Sequence, residues 1–144
     1  MKRFLKITSL LLVIVLMFAV PVCAEEESST WSSSYFIGRD AYLYKTSSTK
    51  FQVWFDVDAL RVMDEIGART IKVQRSLDGS TWTTMFTYSR EYYPQMIDTN
   101  SGSHAAYVPY TGTEGYYYRA KVTFYAKDST GSAISTMTTS KILL

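Results

Sequence analysis

His104 is the only histidine in the chain; it directly follows Ser103, with Asp98 six residues upstream. A hydroxyl, an imidazole and a carboxylate are the groups of a nucleophilic hydrolase, in which the base takes the hydroxyl proton and the acid orients the base. That chemistry also needs a nucleophile held on a constrained turn, and no Gly-x-Ser-x-Gly marks one here. His104 therefore reads as a polar residue at a strand edge, and no catalytic residue is expected. Asp98-Thr99-Asn100-Ser101-Gly102 has the look of a calcium loop, but its Gly stands one position early and the twelfth position is Pro109. An EF-hand needs Gly at the sixth position and a bidentate Glu at the twelfth, so a turn is the expectation. Asp56 and Asp58 share strand parity and face a cation only if one is bound at the strand end; two solvated carboxylates are the commoner arrangement. A zinc site would have to rest on carboxylates, against the usual Cys and His ligand sets. Neither a Gly-x-Gly-x-x-Gly nor a Walker-type lysine motif is present. No metal and no cofactor are expected.

The chemistry the chain does offer is aromatic. Twelve tyrosines, Trp31, Trp54, Trp82 and five phenylalanines all lie beyond position 24. Two causes compete. Tyrosine suits strands and fills a core that has no disulfide. Outward rings, in contrast, make a flat platform that stacks on sugar rings or anchors a protein partner. Alternation along the run 116–125 puts Tyr116 and Tyr118 inward, as structural residues. It puts Tyr117 and Tyr125 outward, and Trp54 is outward by the same rule in its own strand. Tyr92 and Tyr93 fall in a loop. Trp54, Tyr92, Tyr93, Tyr117 and Tyr125 are the candidate ligand-binding surface, with packing against neighbouring strands as the competing explanation.

These side chains must be positioned by strands. Phe51, Val53, Phe55 and Val57 alternate with polar or outward residues, as do Ile71 and Val73; a period of two marks a strand with one buried face. Asp78-Gly79 between two β-rich runs predicts a hairpin, since both residues tolerate the positive φ such turns need. Ala106 to Tyr110, Tyr116 to Tyr125 and Ala133 to Leu144 are further strands, with a turn at Asp128–Ser132. Asp58–Gly67 (DALRVMDEIG) reads as one or two helical turns, with Asp58 as N-cap and Gly67 as the stop. Ser89–Ser103 reads as a loop. Short strands with turn signals every 8–12 residues or so predict an antiparallel sandwich or barrel.

The first 24 residues have the three-part layout of a secretory leader: Lys2, Arg3 and Lys6, then the apolar run Leu10–Val20, then Pro21-Val22-Cys23-Ala24. The run is too short to span a bilayer, which takes about 20 apolar residues. Cleavage after Ala24 is expected, and a lipidated Cys23 fits poorly because Pro21 and Val22 precede it. The expected organisation is a signal peptide (1–24), a flexible Ser/Thr-rich lead-in (25–34) and one β domain (35–144), with no membrane span in the mature chain. Beyond Ala24 there are 12 Lys and Arg against 13 Asp and Glu. This near-neutral balance removes the electrostatic case for a nucleic-acid partner.

Ile71–Thr84 (IKVQRSLDGSTWTT) resembles the C–C′ hairpin of fibronectin type III-like domains. Tyr110–Val122 (YTGTEGYYYRAKV) resembles their E–F corner, with Gly112, Thr113, Tyr116, Tyr118 and Arg119 in the corresponding places. Thr111 stands where proline is common, two residues separate Thr113 from Tyr116, and Phe55 occupies a frequent tryptophan position. The resemblance implies an all-β, immunoglobulin-like or fibronectin type III-like sandwich of about seven strands, with the Tyr116 hydroxyl bonded back to upstream backbone. The whole chain also resembles an uncharacterised family of small secreted proteins of Gram-positive bacteria, which implies secretion and no particular activity. The expected function is a secreted, extracellular, non-catalytic binding module for a glycan or a protein. The alternative is a self-associating extracellular matrix protein built on exposed strand edges.

Overall fold

One 27-residue strand organises the molecule. The computed structural model describes residues 35–144; the expected leader and lead-in lie outside the described residues. In chain order the elements are β1 (Phe36–Lys45), β2 (Lys50–Ser76), β3 (Thr83–Ser89), a 3-10 turn (Pro94–Met96), β4 (Ile97–Thr111), β5 (Tyr117–Asp128), β6 (Gly131–Thr138) and β7 (Ile142–Leu143). β2 pairs with β1 and then β5 along one edge, and with β4 and then β3 along the other; β6 and β7 add to β5. All pairings are antiparallel. The described residues thus form one all-β, seven-stranded antiparallel sheet, curled into a half-barrel. The all-β, antiparallel, seven-stranded part of the expectation is what the described residues show; β2 is long enough to serve both halves, so the strands stay hydrogen-bonded into one sheet. No helix among the described residues is long and apolar enough to cross a membrane.

The core lies on the concave side. Phe51, Val53, Phe55, Val57 and Ala59 are buried at odd positions, Ile66 and Ala68 at even ones, and Ile71 and Val73 at odd ones again. An extra residue in one strand of a pair flips every side chain beyond it to the other face. The pairing is irregular in the same region, against β4 between Asp58 and Met63 and against β5 between Ala68 and Thr70, with Met63 still buried at an odd position. Each large apolar side chain so buried contributes about 2 kcal/mol.

The helical reading of Asp58–Gly67 is corrected here. The segment is the bend of β2: from Met63 it pairs with β4 and from Glu65 with β5. Its two ends are held by sheet pairing, Asp58 to β1 and β4 and Glu65–Gly67 to β4 and β5, and Leu60 and Val62 stay exposed, with no helical apolar face to bury. The loop expected over Ser89–Ser103 is shorter than that, because β4 already begins at Ile97. The Asp98–Gly102 segment is an irregular stretch of β4 rather than a turn, with Asn100 at φ 53°.

The Asp78-Gly79 hairpin forms as expected. Gly79 has φ 72°, and one Asp78 carboxylate oxygen accepts from Ser76 Oγ, Ser80 N and Thr81 N at 2.8–2.9 Å. Those donors, the backbone N–H groups foremost, hold the Asp78 carboxyl well below the usual carboxylate range.

The corner before β5 belongs to Tyr118, a correction of the Tyr116 expectation. Tyr118 is fully buried, and its hydroxyl accepts the Thr113 N–H at 2.8 Å. Its ring packs 5.3 Å from Phe51 and 6.0 Å from Tyr110. Gly112 makes room: a Cβ there would come within 2.6 Å of Leu144 Cδ1 and 2.8 Å of Tyr118 Cζ. Tyr116 precedes the first residue of β5 and so stays at the rim, half-buried against the core with the Arg75 guanidinium 4.4 Å from its ring.

Two substitutions test this framework by urea unfolding. Gly67 has φ 151°, and an added Cβ would lie 2.1 Å from the Met96 carbonyl oxygen. Gly67→Ala is expected to cost about 3 kcal/mol or more, from strain and overpacking together. Tyr118→Phe leaves the Thr113 N–H without its acceptor and is expected to cost about 1 kcal/mol. A wild-type unfolding midpoint in either variant would contradict the geometry.

Candidate functional site

The convex face of β1, the first half of β2 and the second half of β4 is where the aromatic signal becomes a surface. Inward positions are odd in β1 and β2 and even in β4, as the burial of Ala41, Val53 and Val108 shows. The opposite positions therefore face out, and strand register lines them up in rows. Tyr42 pairs with Trp54, and Trp54 with Tyr107. The next row on one side is Tyr44, Gln52 and Pro109; on the other side it is Asp40, Asp56 and Ala105.

Backbone hydrogen bonding sets the spacing within the aromatic row. Thr46 N donates to Lys50 O and Gly112 N donates to Thr49 O. Counting from these bonds in alternate pairs, Tyr42–Trp54 is a hydrogen-bonded pair and Trp54–Tyr107 is not. Side chains of a non-hydrogen-bonded pair sit closer together. The rings follow: Trp54 to Tyr107 is 4.7 Å between centroids, and Tyr42 to Trp54 is 6.3 Å with planes only 3° apart. The indole N–H of Trp54 donates to Gln52 Oε1 at 2.9 Å, which fixes the ring. Tyr42 and Tyr107 are 49% and 42% exposed, more than tyrosines used only for packing need be. The row is a continuous three-ring strip across three strands, open on one side.

Of the five sequence candidates, Trp54 alone belongs to this strip. Tyr92 is 80% exposed in the loop after β3, and Tyr93 beside it packs edge-on against Tyr88 at 4.8 Å. Tyr117 lies under Lys141, whose Nζ is 5.0 Å from the ring. The outward, exposed reading of Tyr125 is corrected: it is buried, because the Arg90 guanidinium covers it at 4.6 Å and is held there by Glu65 at 2.8 Å. Trp82 is covered likewise, by Arg119 at 4.2 Å. The members that sequence reasoning missed are Tyr42, Tyr44, Gln52 and Tyr107. The alternation Ala41-Tyr42-Leu43-Tyr44 carried a signal for the first two; nothing in the sequence stated which strands would lie side by side.

The residues with hydrolase-like spacing do not converge. The His104 ring points inward, 5.6 Å from Phe55, and its Nε2 is 2.9 Å from the Gln95 carbonyl oxygen. Ser103 faces out on the neighbouring position, and Asp98 pairs with Ile66 while His104 pairs with Val57. Among the described residues, no three or more His, Cys, Asp or Glu are grouped to hold a metal ion.

Tyr88 braces the strip from beneath. From β3 its hydroxyl donates to the carbonyl of Pro109, two residues from Tyr107. Burial pushes the Tyr88 hydroxyl up to about 12, with Tyr93 and Tyr110 nearby adding to the shift. Comparison with protein-family models, curated proteins and solved structures finds no match.

A pH prediction follows from Tyr88. Its ionised form is disfavoured in the folded state relative to the ordinary value of 10.0. The associated stability is complete below that value and is lost as pH rises from there toward about 12. Chemical denaturation at stepped alkaline pH is expected to show this fall, and Tyr88→Phe to flatten it. An equal fall in the variant would assign it to other groups.

Proposed function

We propose that the chain is a secreted, non-catalytic binding module whose ligand is a glycan, bound across the Tyr42–Trp54–Tyr107 strip. The observation that carries this reading is the strip itself: three rings in register on adjacent strands, parallel at Tyr42–Trp54 and tilted by 32° at Trp54–Tyr107, with Tyr42 and Tyr107 exposed on either side of a half-buried Trp54. Aromatic faces match the C–H faces of sugar rings, and the flanking Gln52, Asp40 and Asp56 offer hydrogen-bond partners for hydroxyls. Rigid rings lose little entropy when they bind. Sheet pairing on both sides of Trp54 holds the strip in place before a ligand arrives. His104, engaged with the Gln95 carbonyl, fits a structural role and supports the non-catalytic reading. An immunoglobulin-like or fibronectin type III-like relationship is part of the proposal; the Tyr118 hydroxyl bonded back to Thr113 is what supports it.

Self-association is the second reading, and the edge of β6 favours it. Thr139 N donates to Ala120 O. In alternate pairs from that bond, the backbone N–H and C=O groups of Ile134 and Thr136 point away from β5. The strand is GSAISTMT, with no charge to discourage a second edge.

Binding of the purified protein to an array of soluble and insoluble polysaccharides separates the two. Saturable binding to a glycan is expected, with Trp54→Ala and Tyr107→Ala each weakening it about tenfold or more and leaving the melting temperature near wild type. Tyr92→Ala is expected to change nothing. Full binding in both strip variants would remove the strip from the site. Sedimentation velocity that shows mass growing with concentration, with no glycan bound, would favour the second reading.

A further inference from the structure

The charge on either side of the strip differs, and that difference says which glycan fits. The ring row is flanked by Tyr44, Gln52 and Pro109 on one side and by Asp40, Asp56 and Ala105 on the other, with Asp58 one row further out. All three carboxylates are on exposed, outward positions of adjacent strands. Rows on one face of a strand are two residues, about 6.8 Å, apart. A sugar whose face rests on Trp54 thus has its rim directed at Asp40 and Asp56. Asp40 is oriented as well as near: its Oδ1 accepts the Ala41 N–H at 2.8 Å. Gly38, opposite Asp58, has no side chain to displace that carboxylate; a Cβ there would sit 3.2 Å from Asp58 Oδ2. Lys50 is the lysine that register places on this face, and it lies two rows from the rings, on the side away from the carboxylates.

We infer that this face takes a polymer of amino sugars with free, protonated amino groups, such as polyglucosamine. The inference rests on the reading of the strip as a glycan platform and names the sugar it selects. The acidic row alone would mark nothing; the rings beside it supply the sugar contact, and charge complementarity supplies the choice. An equatorial amine projects from the rim of a sugar ring while its face stacks. Over this strip it reaches the carboxylates and makes charge-assisted hydrogen bonds, which are about twice as strong as neutral ones. A uronate, sulfate or phosphate in the same place meets like charge, which excludes it. An N-acetylated sugar keeps the stacking and forfeits the ion pairs.

The test is calorimetric titration of the full-length protein, with its leader processed by the host, with glucosamine and N-acetylglucosamine oligomers of equal length at mildly acidic pH. Polygalacturonate and polylysine are the further probes. The free-amine oligomer is expected to bind about tenfold or more tighter than the acetylated one, and the preference to shrink when salt rises from about 0.05 M to about 0.5 M. Asp40→Asn with Asp56→Asn is expected to reduce the preference to about threefold or less without changing the melting temperature. Trp54→Ala is expected to weaken both oligomers alike. Equal or tighter binding of the acetylated oligomer, or binding of polygalacturonate, overturns the amino-sugar inference and leaves the glycan platform standing. Displacement of the oligomer by polylysine at equal charge overturns it too, since charge alone would then be read. Failure of every glycan to bind overturns both readings.

Discussion

Everything in this fold depends on the continuity of β2. A strand of 27 residues paired along both edges is unusual in a small domain, since most strands run to about five or six residues. Its length lets one chain segment hold β1 and β4 at one end and β3 and β5 at the other. The cost is that a strand this long has to bend if it is to enclose a core. Gly67 and the irregular pairing on either side supply that bend, in a place where the Met96 carbonyl approaches too closely for any side chain.

The bend divides the aromatic residues into three groups. Phe51, Tyr110 and Tyr118 pack together inside the curl and hold it from within. On the convex side of the β3–β5 half, Trp82 and Tyr125 are covered by arginines, and Tyr117 faces a lysine. These rings serve as anchors for the long cationic side chains, whose stems also shield apolar surface. On the convex side of the β1–β4 half the rings pack against each other, with Tyr42 and Tyr107 exposed. The same residue type thus does three jobs, decided by which half of β2 lies beneath it.

Acidic residues make the second division. Asp78 and Asp128 are consumed by turns: each accepts several hydrogen bonds, which hold its carboxyl below the usual range. Asp128 also accepts from Arg61 and from the Tyr35 hydroxyl, and so ties β5 to the bend of β2 and to the start of β1. Asp40, Asp56 and Asp58 sit instead on the open face beside the rings. Placing negative charge next to exposed aromatic surface discourages casual hydrophobic association.

The sequence by itself determined the all-β character, the inward set of β2 from Phe51 to Val57, the Asp78-Gly79 hairpin and the outward direction of Trp54. Each is a local consequence: alternation follows from the two-residue period of a strand, and the hairpin from the positive φ that Gly79 adopts. The bend at Asp58–Gly67 was not legible, because ten residues with mixed polarity fit one or two helical turns as well as a strand paired on both sides. The choice of Tyr118 over Tyr116 and the burial of Tyr125 were not legible either, since they turn on partners distant in sequence, Phe51 packed on Tyr118 for the one and Arg90 for the other. The site itself belongs to tertiary structure. Tyr42, Trp54 and Tyr107 are separated by 12 and 53 positions along the chain, and only the register of two antiparallel pairings brings them into one row. Parity tells which face a residue takes; it says nothing of which strand lies beside it, and an aromatic row made from three strands is written only in that neighbourhood.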